Sequence, residues 1–238
     1  MRMRQVWLGM LLMLSALSGA QAQSELPGEI RLASEIWEAY TEADGTGLGW
    51  DVMREVFEPA GVRLDIHSVP YARSVGLVQR SEADAWVGSY RDEVEGPVFY
   101  PKHHYDRDQI VALGLKDKPV PTLDSLGKYR LVWVRGYGYE EYLPNVHDYR
   151  EVQRRDGILG MLELGHADFY IDARPEFDYI MGRAAKPQQY RVTNLTQLPL
   201  YLGFANTPRG LDQRMAQPIA SGELRPIFER WQQPYPFD

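Results

Sequence analysis

Two stretches of this sequence repeat one pattern. "GLVQRSEADAWVG" (residues 76–88) and "GMLELGHADFYID" (residues 160–172) align without a gap. In both, apolar residues with helical spacing are followed by a polar turn, an Ala-Asp pair and an apolar strand. The repeat predicts two similar α/β units, each with a helix that leads into a strand. Asp84 and Asp168 hold the same place in the two copies, and we favour a role in the turn over contact with a ligand for both.

Strands and helices alternate around the first copy. Asp51 is a candidate N-cap for the first helix, Gly61 closes that helix, and Pro70 ends the second strand. The alternation predicts an α/β fold with a largely parallel sheet. The predicted elements are a strand over 29–34, a helix over 51–60, a strand over 62–69, a helix over 74–80 and a strand over 85–88.

The same order restarts after a Pro-rich boundary over 117–129. "KHHYDRD" (residues 102–108) precedes it; its spacing fits no common zinc pattern, and we expect a solvated loop there. Pro218 and Gly222 are expected to split a terminal pair of amphipathic helices. Strands are predicted over 109–116, 129–134, 148–153, 167–172 and 198–206, and helices over 157–164 and 174–182.

Composition excludes several classes of protein. The chain has 238 residues, a net charge of −7 and no cysteine, which excludes disulfides and a lipid-anchored cysteine. An acidic surface repels nucleic acid and anionic lipid, so neither is an expected partner. No phosphate loop, nucleophile elbow or HExxH motif is present, and no cofactor or metal is expected. The 15 Tyr and 6 Trp suit the walls of a polar ligand cleft.

The first 22 residues have the features of a secretory signal peptide. Arg2 and Arg4 precede an apolar run that is too short to span a bilayer, and "AQA" at 20–22 has the form of a cleavage site. We therefore expect a periplasmic or secreted monomer with no membrane insertion of the mature chain.

The order of these features resembles the extracellular solute-binding proteins of family 3, the periplasmic amino-acid-type receptors of ABC uptake systems. The resemblance covers nearly all of the chain after the leader. It rests on segments that run from "DGTGLGWDV" (44–52) and "PYARSVGLVQRSEADAWVG" (70–88) through "PTLDSLGKYRL" (121–131) and "LGHADFYID" (164–172) to "SGELRPIFERW" (221–231). It implies a two-lobed, type II periplasmic binding fold, with lobe 1 at 23–112 and 200–238, lobe 2 at 113–199, and a ligand cleft between them.

The resemblance also implies where ligand-binding residues lie. Trp37 and Tyr40 follow the first strand, where the family places an aromatic ligand wall; packing in the core is the alternative. Tyr71 and Arg73 precede the second helix, and Arg73 is a candidate for gripping a carboxylate, or for pairing with a surface acid. Asp172 matches the family residue that binds the amino group of the ligand, and an N-cap role is its alternative.

Further candidates lie at the ends of other strands. Ser89 and Tyr90 directly follow the first copy of the repeat, at the end of its strand. Arg91 stands two residues from the position, here Glu93, where the family carries its carboxylate-binding Arg; a surface ion pair with Asp92 or Glu95 is the alternative. The turn at Gly136, Tyr137 and Gly138 offers backbone N–H groups to an anion, or is a plain turn.

Three functions are compatible with these features. The leading hypothesis is a solute-binding protein that closes on a small polar, amino-acid-like or carboxylate-bearing molecule for an ABC permease. A periplasmic enzyme resembling cyclohexadienyl dehydratase is the second, with Glu35, Glu93 or His104 as acid or base. A stand-alone sensory module is the third.

Overall fold

The computed structural model describes residues 26–205 and 210–238. The predicted signal peptide lies outside these residues. Within them, no helix is long and apolar enough to cross a membrane.

The chain forms a mixed α/β fold in which strands and helices alternate. Three-residue to six-residue 3-10 turns connect several of the elements. The strands are β1 Glu29–Ser34, β2 Arg63–Ser68, β3 Ala85–Ser89, β4 Val98–Phe99, β5 Asp106–Leu115, β6 Leu131–Val134, β7 Tyr149–Val152, β8 Phe169–Ala173 and β9 Tyr190–Ala205. The helices are α1 Leu48–Phe57, α2 Tyr71–Gln79, α3 Tyr139–Tyr142, α4 Ile158–Glu163, α5 Arg174–Arg183, α6 Ala216–Ser221 and α7 Arg225–Arg230.

The sheet consists of two similar parts joined through β9. In the first part β1 lies between β2 and β3, and in the second β6 lies between β7 and β8; all four pairings are parallel. The last residues of β9 pair antiparallel with β3, whereas Tyr190–Leu200 pairs antiparallel with β5, which also pairs with β8. The sheet is therefore parallel within each part, as predicted, and antiparallel where β5 and β9 connect the parts.

The same kind of Arg–Asp ion pair occurs in both parts of the sheet, at the Asp of the repeated Ala-Asp. Asp84 accepts hydrogen bonds from Arg31 N and Nε at 2.8 and 3.1 Å, and Asp168 accepts them from Arg130 N and Nε at 3.0 and 3.1 Å. In return, the backbone N–H of each Asp donates to the carbonyl of its Arg. Each Asp thus fixes the start of its strand to the neighbouring parallel strand, which is a structural role in the turn.

Three boundary predictions were wrong. Helix α1 begins at Leu48, so Asp51 is not its N-cap; the Asp51 carboxylate instead accepts hydrogen bonds from Arg230 and Trp231 at the C-terminus. Helix α2 begins at Tyr71, so Tyr71 and Arg73 lie in its first turn and do not precede it. Pro218 lies inside α6 and does not split the helices; residues 222–224 separate α6 from α7, and Gly222 among them has a left-handed conformation.

Candidate functional site

A cavity of about 600 Å³ lies between the two parts of the fold. Its lining comes from the loop after β1, the start of α2 and the end of β3 on one side, and from β6–α3 and β8–α5 on the other. Strand β5 and the C-terminal segment from Trp231 to Asp238 complete the wall. Ligand pockets of small molecules usually have volumes of this order.

Aromatic side chains form much of the wall. The Trp37 ring lies 6.4 Å from that of Tyr40 and 6.0 Å from that of Tyr71, and Tyr71 in turn packs edge-on against Tyr137 at 5.4 Å. Trp37 Nε1 donates a hydrogen bond of 3.0 Å to the Tyr137 hydroxyl, across the cavity. The predicted wall residues Trp37 and Tyr40 line the cavity, and so do the predicted site residues Tyr71, Tyr90 and Tyr137, together with Tyr139.

Gly88 leaves room for this wall. Its φ of +85° is in the left-handed region, and a Cβ there would lie 2.5 Å from Cη2 of Trp37. Any larger residue would displace the indole ring. Glycine at the end of β3 therefore determines where the aromatic wall stands.

Two aspartates on β5 face the cavity, where the sequence suggested a solvated loop. Asp106 and Asp108 are two residues apart on one strand, so their side chains leave the same face. Asp106 is only 8% exposed and accepts a hydrogen bond of 2.8 Å from the Tyr40 hydroxyl; Asp108 accepts one of 2.9 Å from the Tyr90 hydroxyl. Burial raises the pKa of Asp106 to about 7 and that of Asp108 to about 7.

Asp172, the predicted ligand for an amino group, lines the cavity but is already paired within the protein. It is 1% exposed, and its Oδ2 accepts a hydrogen bond of 3.1 Å from Arg155 Nε. Its Oδ1 accepts one of 2.8 Å from the N–H of Ala173, which precedes helix α5. The Tyr170 hydroxyl also donates to Oδ2. The Asp172 carboxylate is therefore already paired with the Arg155 guanidinium of the protein itself.

Arg155 joins the two parts of the fold. Besides Asp172, it pairs with Glu176 at 3.1 Å in the second part and with Glu35 at 3.2 Å in the first, and its Nη2 lies 2.5 Å from the Tyr137 hydroxyl. Burial would lower the pKa of Arg155, but the surrounding groups, Asp172 first and then Tyr137, Tyr170 and Glu176, together outweigh it and the net shift is upward. Burial and Asp172 raise the pKa of Glu176.

Further contacts cross the cleft. The Tyr142 hydroxyl donates a hydrogen bond of 3.0 Å to the Arg91 carbonyl, and the hydroxyls of Tyr90 and Tyr139 are 3.4 Å apart. The two sides therefore touch around the cavity, which is the arrangement of a closed cleft.

Several predicted site residues do not line the cavity. Arg73 is exposed on α2. Arg91 donates to the carbonyls of Pro101 and Lys102 and stacks on Tyr201 at 4.3 Å, so it pairs with neither Asp92 nor Glu95. The Gly136 N–H donates to Glu151 at 2.8 Å, which leaves it no bond for an anion. Two further predicted residues, Ser89 and Gly138, also lie outside the lining. Ser89 is hydrogen-bonded to Glu93, and Gly138 is the N-cap of α3.

The three candidate acids or bases of the enzyme hypothesis also lie outside the lining. Glu35 is paired with Arg155. Glu93 accepts hydrogen bonds from Tyr71, Ser89 and Tyr90 N, and burial raises its pKa to about 7. His104 stacks on Phe237 at 4.9 Å. Among the described residues, no group of His, Asp and Glu could hold a metal ion.

Solved structures share this architecture. An ABC uptake substrate-binding protein from Streptococcus pneumoniae with bound histidine has 16% identity and a TM-score of 0.69, covering 90% of this chain and 95% of its own. A histidine kinase sensor domain similar to periplasmic binding proteins has 13% identity and a TM-score of 0.68, covering 85% and 95%. An ancestral amino acid-binding protein, a precursor of cyclohexadienyl dehydratase, has 16% identity and a TM-score of 0.62, covering 86% and 95%.

These likenesses establish the fold. No protein-family model matches the sequence, and no curated protein matches it. The chain has the two-lobed, type II periplasmic binding fold, and the resemblance predicted from its motifs is confirmed at the level of fold. Several of the similar structures are substrate-binding proteins of ABC transporters.

Proposed function

We propose that this protein is a periplasmic solute-binding protein whose two lobes close on a small polar molecule. The observation that carries the proposal is the cavity of about 600 Å³ between the parts of the sheet, walled by aromatic rings and carboxylates from both sides. Lobe 1 corresponds to residues 23–112 and 200–238, and lobe 2 to 113–199.

The hinge in this proposal consists of β5 and β9. Strand β9 runs from one part of the sheet to the other and changes partner from β5 to β3 between Leu200 and Tyr201, and β5 pairs with it along Tyr190–Leu200. The contacts of Arg155 with Glu35 and of Trp37 with Tyr137 close the opposite side of the cleft. Opening about the two strands would break these few polar contacts and leave the parallel strands of each lobe intact.

We propose that the protein delivers its solute to an ABC permease. We also propose that the signal peptide at residues 1–22 directs the protein to the periplasm. A sensor protein is the alternative partner, and a sensor domain of the same fold supports it. Glu35, Glu93 and His104, the acid or base candidates for an enzyme, do not line the cavity, which favours binding over catalysis.

Small-angle X-ray scattering with a solute screen tests the binding role. A bound solute is expected to reduce the radius of gyration and raise the melting temperature together, because it binds the folded, closed state. If a solute raises the melting temperature of the Trp37→Ala variant as much as that of the unchanged protein, the cavity is not its binding site. Val120→Ala, an exposed site outside the cavity, is the matched control.

A further inference from the structure

The cavity lining has an excess of acidic groups. Two arginines, Arg107 and Arg174, are among the lining residues, and no lysine or histidine is. Six acidic residues are among them: Glu38, Asp106, Asp108, Asp172, Glu176 and Asp238. A cavity with this balance attracts cations and repels anions.

The arginines at or near the cavity are exposed or are already bonded to other residues. Arg174 Nη2 donates a hydrogen bond of 2.6 Å to Asn194. Arg107 lies between Asp106 and Asp108 on β5, so its side chain leaves the opposite face of the strand, and it is exposed. Arg155 lies behind the wall, held by three carboxylates. Among the described residues, these arginines are hydrogen-bonded elsewhere, exposed or already ion-paired, and none of them forms an ion pair with Asp106 or Asp108.

The carboxylates of β5 lack a cation. Among the residues that the structure describes, neither Asp106 nor Asp108 forms an ion pair, in contrast to Asp172 and Glu176. Asp108 Oδ2 accepts the hydrogen bond from Tyr90, and its Oδ1 has no donor among the described residues. Buried carboxylates without a counter-charge are costly, and a bound cation would remove that cost.

The aromatic rings next to this pair suit the same ligand. Tyr40 and Tyr90, whose hydroxyls bind Asp106 and Asp108, both line the cavity, and Trp37 packs beside Tyr40. Ring faces attract ammonium groups and pack against alkyl chains. The charge and the walls thus point to one kind of molecule.

We propose that the cavity binds an organic cation, a primary amine or polyamine without a carboxylate, with one ammonium group between Asp106 and Asp108 and its carbon chain against Trp37 and Tyr40. This inference rests on the proposed binding function and names its ligand class. It differs from recognition of an α-amino acid, in which a cation of the protein holds a carboxylate and Asp172 holds the amino group.

A matched ladder of ligands tests the proposal on the full chain. Putrescine, 4-aminobutanoate and succinate share a four-carbon chain and carry two, one and no ammonium groups, and spermidine and tyramine extend the amine series. Calorimetric titration should show binding of at least one amine, weaker binding of 4-aminobutanoate and no binding of succinate.

Variants locate the bound amine. Asp106→Asn/Asp108→Asn should weaken amine binding by about tenfold or more, because the ammonium loses its counter-charges. Asp117→Asn, an exposed carboxylate outside the lining, should leave it unchanged. If the double variant does not fold, Asp108→Asn alone, which keeps an acceptor for Tyr90, carries the test.

The outcomes separate the two proposals. Binding of succinate or L-glutamate in preference to the amines would overturn the ligand class and leave the binding function standing. Amine binding that survives both Asp variants would overturn the assigned position. Absence of binding by every member of both series would overturn the ligand class and the binding function together.

Discussion

Arg155 and Asp172 form an ion pair at the wall of the cleft, with Nε and Oδ2 3.1 Å apart and the Asp172 side chain 1% exposed. The residue that sequence reasoning assigned to a ligand's amino group therefore already has a cation of the protein beside it. Arg155 extends the pair to Glu35 on the other lobe, at 3.2 Å. Arg155 therefore bonds both to Asp172 in the cavity wall and to Glu35 of the other lobe.

Removal of this cation should be costly. Arg155→Ala leaves the carboxylates of Asp172, Glu176 and Glu35 without their shared partner. Breaking a buried ion pair from one side costs about 3 kcal/mol. We expect a loss of that order in the free energy of unfolding, measured by urea denaturation. Arg154→Ala, an exposed neighbour, is the control, and an equal loss in both variants would contradict the role of the pair.

Gly88→Ala should damage the aromatic wall. Its Cβ would lie 2.5 Å from the Trp37 ring, so the indole must move out of the cavity. We expect altered Trp fluorescence, a lower melting temperature and weaker ligand binding. Gly61→Ala provides the control, because Gly61 has a similar φ of +77° but nothing within 4 Å of the added carbon. Identical effects at both positions would show that backbone strain, and not Trp37, is responsible.

Asp168→Asn should destabilise the second lobe in a pH-dependent way. Burial alone would raise the pKa of Asp168, but hydrogen bonds from Arg130 and Lys118 outweigh it and hold the pKa well below the usual value. The lowered pKa means that Asp168 stabilises the fold above about pH 4 and loses this effect as pH falls. We expect the variant to lose about 1 kcal/mol at pH 7 and much less at pH 2. A pH-independent loss would contradict this interpretation.

Asp106 should have the opposite pH dependence. Its pKa of about 7 means that the folded protein keeps the proton over a range where the unfolded chain has lost it. The unfolding free energy contributed by this group therefore falls as pH rises from about 4 to about 7. Asp106→Asn removes that loss, so the variant should gain about 4 kcal/mol relative to the unchanged protein between pH 4 and pH 8.

Urea denaturation across this pH range measures the effect. The groups that surround Asp106 are Tyr40, Tyr105 and Asp108, and the Asp108→Asn variant separates the contribution of its neighbour. Asp117→Asn, which is exposed, should show no pH-dependent difference. A gain at pH 4 as large as that at pH 8 would show that Asp106 is not protonated in the folded state.

Much of the fold follows from local patterns. Alternating apolar and polar residues over 62–69, between Gly61 and Pro70, predict β2. The repeated sequence pattern predicts β3 and β8. The length of β9 could not be predicted, because five of the eight residues 190–197 are polar and this segment becomes a strand by pairing with β5. The antiparallel connection between the lobes has the same cause, since it depends on contacts distant in sequence.

The aromatic part of the site could be predicted, and so could the place of Asp172 in the cavity wall, but its pairing with Arg155 could not. Trp37, Tyr40, Tyr71, Tyr90 and Tyr137 line the cavity as expected. Arg155 has no local signal, because its partner Glu35 lies 120 residues away. Asp106 and Asp108 did have one: two acids at spacing two, directly before an apolar run, place both carboxylates on one face of a strand.

Closure of the cleft on a solute is tested most directly by a distance across it. The chain has no cysteine, so Arg73→Cys and Glu141→Cys introduce a unique pair of exposed labelling sites, one on each lobe. Double electron–electron resonance should give a broad distance distribution without ligand and a single, shorter distance with at least one of putrescine, spermidine and tyramine. A distribution that is the same without ligand, with each amine and with succinate or L-glutamate would contradict a binding protein that closes on its solute.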